Sequence, residues 1–181
     1  INSVLNSGSN VTILTTDNNS NGRGQINVKA DIDKTSGGDA SLNLFANSGV
    51  RIDFGHHIHS TSGKLNLNID ADRDNDLGGF VQIDSNNSGD YAIRTNGGDI
   101  SVRSWDTIIQ GKGIKTSGGD VLVNHISEEA TWITIGGNTN SSNYTIDSGT
   151  GDITIDSRYT NSFGDFDDFV ELHDYALRTV G

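Results

Sequence analysis

The chain contains no cysteine, no proline and no methionine, and only 7% of its 181 residues are aromatic. The absence of cysteine excludes a disulfide framework and any thiolate metal site. No apolar run approaches the ~20 residues that a membrane-spanning helix needs, and no secretory leader is visible. Ile1 in place of Met predicts a processed or excerpted segment whose targeting information lies outside it. Basic residues are scarce: 12 Lys and Arg stand against 24 Asp and Glu, for a formal net charge of −12. That balance argues against nucleic acid or an anionic membrane as a partner and is compatible with cation binding. Hydrophobic residues make up only 32%. Disordered chains share that low value, but they are poor in β-branched residues and rich in Pro, Glu and Lys. Here Ile, Val and Thr recur in short runs, so a thin body with much surface for its core is the better reading.

What the chain does have is 23 Gly, 20 Asn and an internal repeat. One unit is a glycine turn, then Asp or Asn, then alternating apolar residues. Clear copies are Ser36-Gly37-Gly38-Asp39-Ala40-Ser41-Leu42-Asn43-Leu44, Asn96-Gly97-Gly98-Asp99-Ile100-Ser101-Val102, Ser117-Gly118-Gly119-Asp120-Val121-Leu122-Val123 and Gly149-Thr150-Gly151-Asp152-Ile153-Thr154-Ile155. Looser copies begin at Gly8, Gly24, Gly49, Gly63 and Gly79. Period-two alternation marks a strand buried on one face. Glycine and Asn supply the positive φ that turns a corner, and the Asp that follows is expected to accept a hydrogen bond from nearby backbone. Gly98 and Gly119 are 21 residues apart, with Thr107-Ile108-Ile109 and Gly113-Ile114-Lys115 between them. Three short strands in about twenty residues describe one rung of a triangular coil. The expected fold is therefore all-β, a right-handed parallel β-helix (β-solenoid) with roughly 20 residues per coil and roughly eight coils. A sandwich and a propeller compete, but neither explains the same corner returning ahead of each strand. Residues 1–157 read as stalk coils and 158–181 as a final coil or a capping or contact segment.

Three stretches carry a resemblance to a known family: Thr35-Ser36-Gly37-Gly38-Asp39-Ala40-Ser41-Leu42, Ser60-Thr61-Ser62-Gly63-Lys64-Leu65-Asn66-Leu67-Asn68 and Thr95-Asn96-Gly97-Gly98-Asp99-Ile100. They resemble the stalk repeats of filamentous haemagglutinin-like exoproteins exported by two-partner secretion. The similarity covers approximately residues 1–157. It implies secretion through an outer-membrane partner, a location on the bacterial cell surface and adhesion to a host or neighbour-cell glycan or protein. The family's secretion domain carries Asn-Pro motifs; this chain has no Pro, which places it downstream, in the stalk. The resemblance supplies no catalytic residue. A stick for a contact-dependent inhibition effector stays open beside the adhesin. So do an end-to-end filament subunit and a carbohydrate-active β-helix enzyme, whose carboxylates would come from Asp53, Asp84, Asp99, Asp120 and Asp152. Self-association end to end is a further possible partnership; membrane insertion is not expected.

Three local features invite a site. In Asp70-Ala71-Asp72-Arg73-Asp74-Asn75-Asp76-Leu77-Gly78-Gly79, acidic residues alternate as in the front half of a calcium loop. Asp70, Asp72, Asp74 and Asp76 are the candidate ligands, and calcium the candidate cofactor. Asn75 stands where a helix-loop-helix hand needs Gly, and Val81 where it needs Glu, so that motif is excluded; the competing reading is a solvated acidic loop between coils. In Gly55-His56-His57-Ile58-His59, an inward Ile58 places His57 and His59 on the outer face, two ligands where a structural zinc site needs four. Asn10, Asn18, Asn86, Asn140 and Asn143 open glycosylation sequons, of a number that chance supplies in so Asn-rich a chain. The aromatic, acidic stretch from Phe163 to Leu177 departs from the repeat and reads as a cap or a contact point.

Overall fold

The computed structural model describes residues 1–16, 24–73, 78–84, 89–127, 132–137, 144–159 and 169–180. A short helix, α1 (Asn2–Leu5), leads into six rungs of three strands each. The first rung is β1 (Val11–Leu14), β2 (Gln25–Val28) and β3 (Ile32–Lys34); the second is β4 (Ala40–Phe45), β5 (Gly49–Ile52) and β6 (Ile58–Ser60). The third is β7 (Leu65–Asp70), β8 (Phe80–Ile83) and β9 (Ile93–Arg94), and the fourth β10 (Ile100–Arg103), β11 (Asp106–Gln110) and β12 (Ile114–Lys115). Then come β13 (Val121–Ser127), β14 (Trp132–Gly136) and β15 (Ile146–Gly149), and finally β16 (Ile153–Tyr159), β17 (Phe169–Leu172) and β18 (Leu177–Thr179).

Each strand pairs in parallel with its equivalents one rung below and above, giving three six-stranded sheets. We call them A (β1, β4, β7, β10, β13, β16), B (β2, β5, β8, β11, β14, β17) and C (β3, β6, β9, β12, β15, β18). The chain is a parallel β-helix. The strand alternation expected from sequence is present: β4 and β7 bury every second residue. Inward residues stack in columns, such as Leu42–Leu67–Ile100–Val121 in sheet A and Ile32–Ile58–Ile93–Ile114–Ile146 in sheet C. These columns form one continuous core, each fully buried Leu or Ile contributing about 1.5–3 kcal/mol.

Coil length differs from the sequence expectation. Cross-coil hydrogen bonds join residues 21, 25, 32 and 33 apart. The interval read from Gly98 to Gly119 is the shortest of these, and six coils result rather than about eight. Connections between sheets A and B and between B and C take up the difference. At the C-terminal end, β17 and β18 belong to the same stack and complete the sixth coil.

The corner from sheet C to sheet A is built alike in successive coils. Ser60, Thr95, Thr116 and Ser148 point inward and are buried. Each hydroxyl donates to the carbonyl three residues on: Gly63, Gly98, Gly119 and Gly151. At the foot of this column stands Lys34, also fully buried, whose ammonium donates to the carbonyls of Ser36, Gly37 and Ser62. The second corner glycines stack on the backbone below. A Cβ on Gly119 would lie 2.2 Å from the Gly98 carbonyl oxygen, and one on Gly151 2.2 Å from that of Gly119. Only glycine lets successive coils approach so closely.

Candidate functional site

The outer faces carry the chemistry. On sheet A, an outward column runs Ser41–Asn66, then Asp99–Asp120–Asp152. The corner aspartates were expected to bond locally. Instead each reaches the next coil: the Asp99 carboxylate accepts the Asp120 N–H at 2.9 Å, and the Asp120 carboxylate accepts the Asp152 N–H at 2.9 Å. Asn66 does the same for the Asp99 N–H at 3.0 Å, and Asp39 for the Lys64 N–H at 2.8 Å. The reason is geometric: an outward side chain at a corner sits nearer to the backbone of the coil above than to its own turn. A second outward column forms an amide ladder, in which Asn68 donates to Asn43 at 2.7 Å and Asn43 to the Thr12 hydroxyl at 3.0 Å. Between the columns lies a shallow groove of about 490 Å³, lined by Asn66, Asn68, Asp99, Ser101, Asp120 and Asp152 among others. Asp53 and Asp84 are elsewhere, against Arg51 on sheet B.

Of the candidate calcium ligands, Asp70 ends β7 beside Arg103 of the next coil, whose Nη1 donates to both carboxylate oxygens at 3.0 and 3.3 Å. The same guanidinium donates to the Asp72 carbonyl at 3.1 Å, and Asp72 is buried. An ion there would compete with Arg103 for the Asp70 carboxylate. Asp74 and Asp76 lie outside the described residues, as do Asn18, Asn86, Asn140, Asn143 and residues 163–168 of the aromatic stretch. Asn10 is described, and its side chain accepts the Ser41 N–H at 2.8 Å.

Sheet C carries a charged outward column, Asp33–His59–Arg94–Lys115–Asp147–Arg178. Ile58 is fully buried, so His57 and His59 do face outward. They are half-buried rather than free in water, and their rings stack with centroids 3.8 Å apart. Burial holds the His59 pKa below the ordinary imidazole value, as do the neighbouring His57 and Arg94, against the opposing pull of the Tyr91 carbonyl and Asp90. Burial pushes the Asp90 pKa up, but the Tyr91 N–H and Arg94 outweigh it, and the carboxyl ends below its usual range. Arg94 donates to Asp90 at 2.9 Å. Tyr91 lies beneath the Lys115 and Lys112 ammoniums, 5.6 and 6.0 Å from its ring centre, and burial raises its pKa.

Sequence reasoning missed the inward hydroxyl column and buried Lys34, because polar residues beside glycines read as turn surface. It also missed Asp33, which meets His57 and His59 only after the chain has gone once round. Comparison with known proteins finds no matching family model, curated protein or solved structure.

Proposed function

We propose that this chain is a length of shaft from a secreted, filamentous-haemagglutinin-like adhesin on the bacterial surface, and that its role is mechanical rather than catalytic. The observation behind the proposal is the stacking of three parallel sheets through all six coils, with the same corner repeated up one edge. A rod needs each coil to bind its neighbours equally well, and inward stacking with cross-coil hydrogen bonds meets that need. The outward rows of Ser, Asn, Thr and Asp offer weak polar contacts to a glycan or protein on another cell, which repetition multiplies. In the full-length protein an outer-membrane partner carries out export. Nucleic acid is disfavoured by the net charge of −12. Among the described residues no helix is long and apolar enough to cross a membrane.

Deleting one coil tests the shaft. Removing residues 99–119 joins Gly98 to Asp120, two positions in neighbouring coils that occupy adjacent places in the same corner. The shortened protein is expected to fold cooperatively with unchanged β-sheet circular dichroism, and the shortened adhesin to keep its cell binding. Loss of adhesion with the fold intact would count against a passive shaft.

One observation favours a second reading. Asp99, Asp120 and Asp152 line a single groove on adjacent coils, the kind of place where a β-helix enzyme cleaves polysaccharide. Release of product from any member of a polysaccharide panel, abolished by Asp120→Asn, would favour the enzyme.

A further inference from the structure

We propose that Asp33, His57 and His59 form a three-ligand site for a borderline divalent transition metal, with zinc as the probe. Each of the three offers one ligand atom, and these atoms lie within 4.8 Å of one another. The residues come from two successive coils: Asp33 on β3 is in register with His59 on β6, and His57 enters β6 one side chain earlier on the same face. Ligand atoms around a tetrahedral ion at about 2.0–2.2 Å lie roughly 3.3–3.6 Å apart. His57 Nε2 and Asp33 Oδ1 are already 3.0 Å apart. With the ligand atoms already within 4.8 Å of one another, small side-chain rotations complete the set.

The groups behind the ligands point the same way. A metal-binding imidazole characteristically donates its other ring N–H to a carboxylate or carbonyl, which fixes its tautomer. His59 Nε2 lies 2.6 Å from the Tyr91 carbonyl, leaving Nδ1 for the metal. His57 Nδ1 lies 3.4 Å from the Asp31 carboxylate, leaving Nε2 for the metal. Both histidines therefore carry an orienting acceptor on the ring nitrogen away from the proposed ion. Asp31 is further held by the His57 backbone N–H at 3.3 Å. Arg94, the one cation in register beside His59, is drawn off by Asp90. Two imidazoles and one carboxylate suit zinc, nickel or copper far better than calcium or magnesium, which prefer oxygen donors. Three protein ligands leave a fourth position for water or a donor from another molecule. A bound ion also ties the first coil to the second from outside, independently of the core. This site stands apart from the shaft role; neither depends on the other.

The test is zinc titration of the full chain by isothermal calorimetry and by thermal melting, after stripping with EDTA. Wild type is expected to bind one zinc per chain saturably and to melt higher with zinc, and not with calcium at equal concentration. His57→Gln and Asp33→Asn are each expected to weaken zinc binding at least about tenfold, while His173→Gln on the last coil leaves it unchanged. Should either site variant unfold, the imidazole proton resonances of wild type serve instead: His57 and His59 must shift or broaden with one equivalent of metal. No saturable binding at millimolar zinc, or binding indifferent to both substitutions, or resonance changes confined to His125 or His173, overturns the proposal.

Discussion

The three corners of the coil differ in how much freedom they leave the sequence. From sheet C to sheet A the chain crosses in residues 35–39, 61–64, 95–99, 116–120 and 150–152, short segments of nearly equal length. From A to B the connections range from residues 104–105 to residues 15–24, and from B to C from residues 29–31 to residues 84–92. In the corners at Thr95 and Thr116 each group has a fixed partner: an inward hydroxyl holds a carbonyl, a glycine lies on the backbone below, and an Asp reaches the coil above. An inserted residue there breaks all three. The other corners accommodate connections of very different length, and lengthening a loop costs only about 0.6 kcal/mol per doubling. One corner keeps the coils in register; the other two are free to carry chemistry, and the histidine cluster is at one of them.

The sharpest way to break this contrast is to add one methyl group at each kind of corner. Gly119→Ala places a Cβ against the backbone of the coil below, which cannot yield, and is expected to cost about 2–4 kcal/mol in urea denaturation. Gly55→Ala, at a B-to-C corner with φ +90° and open space around it, meets only left-handed backbone strain, about 1–2 kcal/mol. Equal costs would mean that the glycine column is not what sets the spacing between coils.

Next in size is the hydroxyl column. Thr116→Val keeps the shape of the side chain but leaves the Gly119 carbonyl without its buried donor, and is expected to cost about 1–2 kcal/mol. A variant as stable as wild type would show that the hydroxyls are passengers of the fold.

A smaller effect separates hydrogen bonding from charge along the outer column. Asp120→Asn keeps an acceptor for the Asp152 N–H and removes one of three stacked carboxylates, so stability is expected to hold or rise by a few tenths of a kcal/mol. Asp120→Ala loses the acceptor, at a cost of about 1 kcal/mol. If Asn and Ala behave alike, the cross-coil bond is not contributing.

The smallest expected effect belongs to the variable side. The His59 pKa is lower in the folded chain than the unfolded value of about 6.5. The unfolded chain therefore takes up the proton first on acidification. Stability from this group is complete above pH 6.5 and is lost as pH falls through the folded-state value. In EDTA, denaturation midpoints of His59→Gln should fall less steeply below pH 6.5 than those of wild type. Parallel curves would place His59 in water.

Much of the fold was legible in particular residues. Leu42, Leu44, Leu65 and Leu67 alternate with Ser and Asn, and period two is a property of the strand itself. The Gly-Gly-Asp corners were legible because positive φ selects glycine locally. The number of coils was not, since a marker spacing of 11 or 14 can separate two corners of one coil, and loop length between coils obeys no local rule. The candidate site was half legible. Ile58 pointing inward fixed the outward face of His57 and His59, but Asp33 joins them through register one coil away.

Residue order alone makes this chain form strands buried on one face, turning at glycines, in a repeat that a lone unit cannot stabilise. That follows from local sterics and from the alternation of side chains. Coil stacking sets which polar residues go inside, what the corner aspartates hold and which side chains share a site. Those depend on the neighbouring coil, 21 to 37 residues away along the chain, where hydrogen bonding and burial are settled by stacking rather than by spacing.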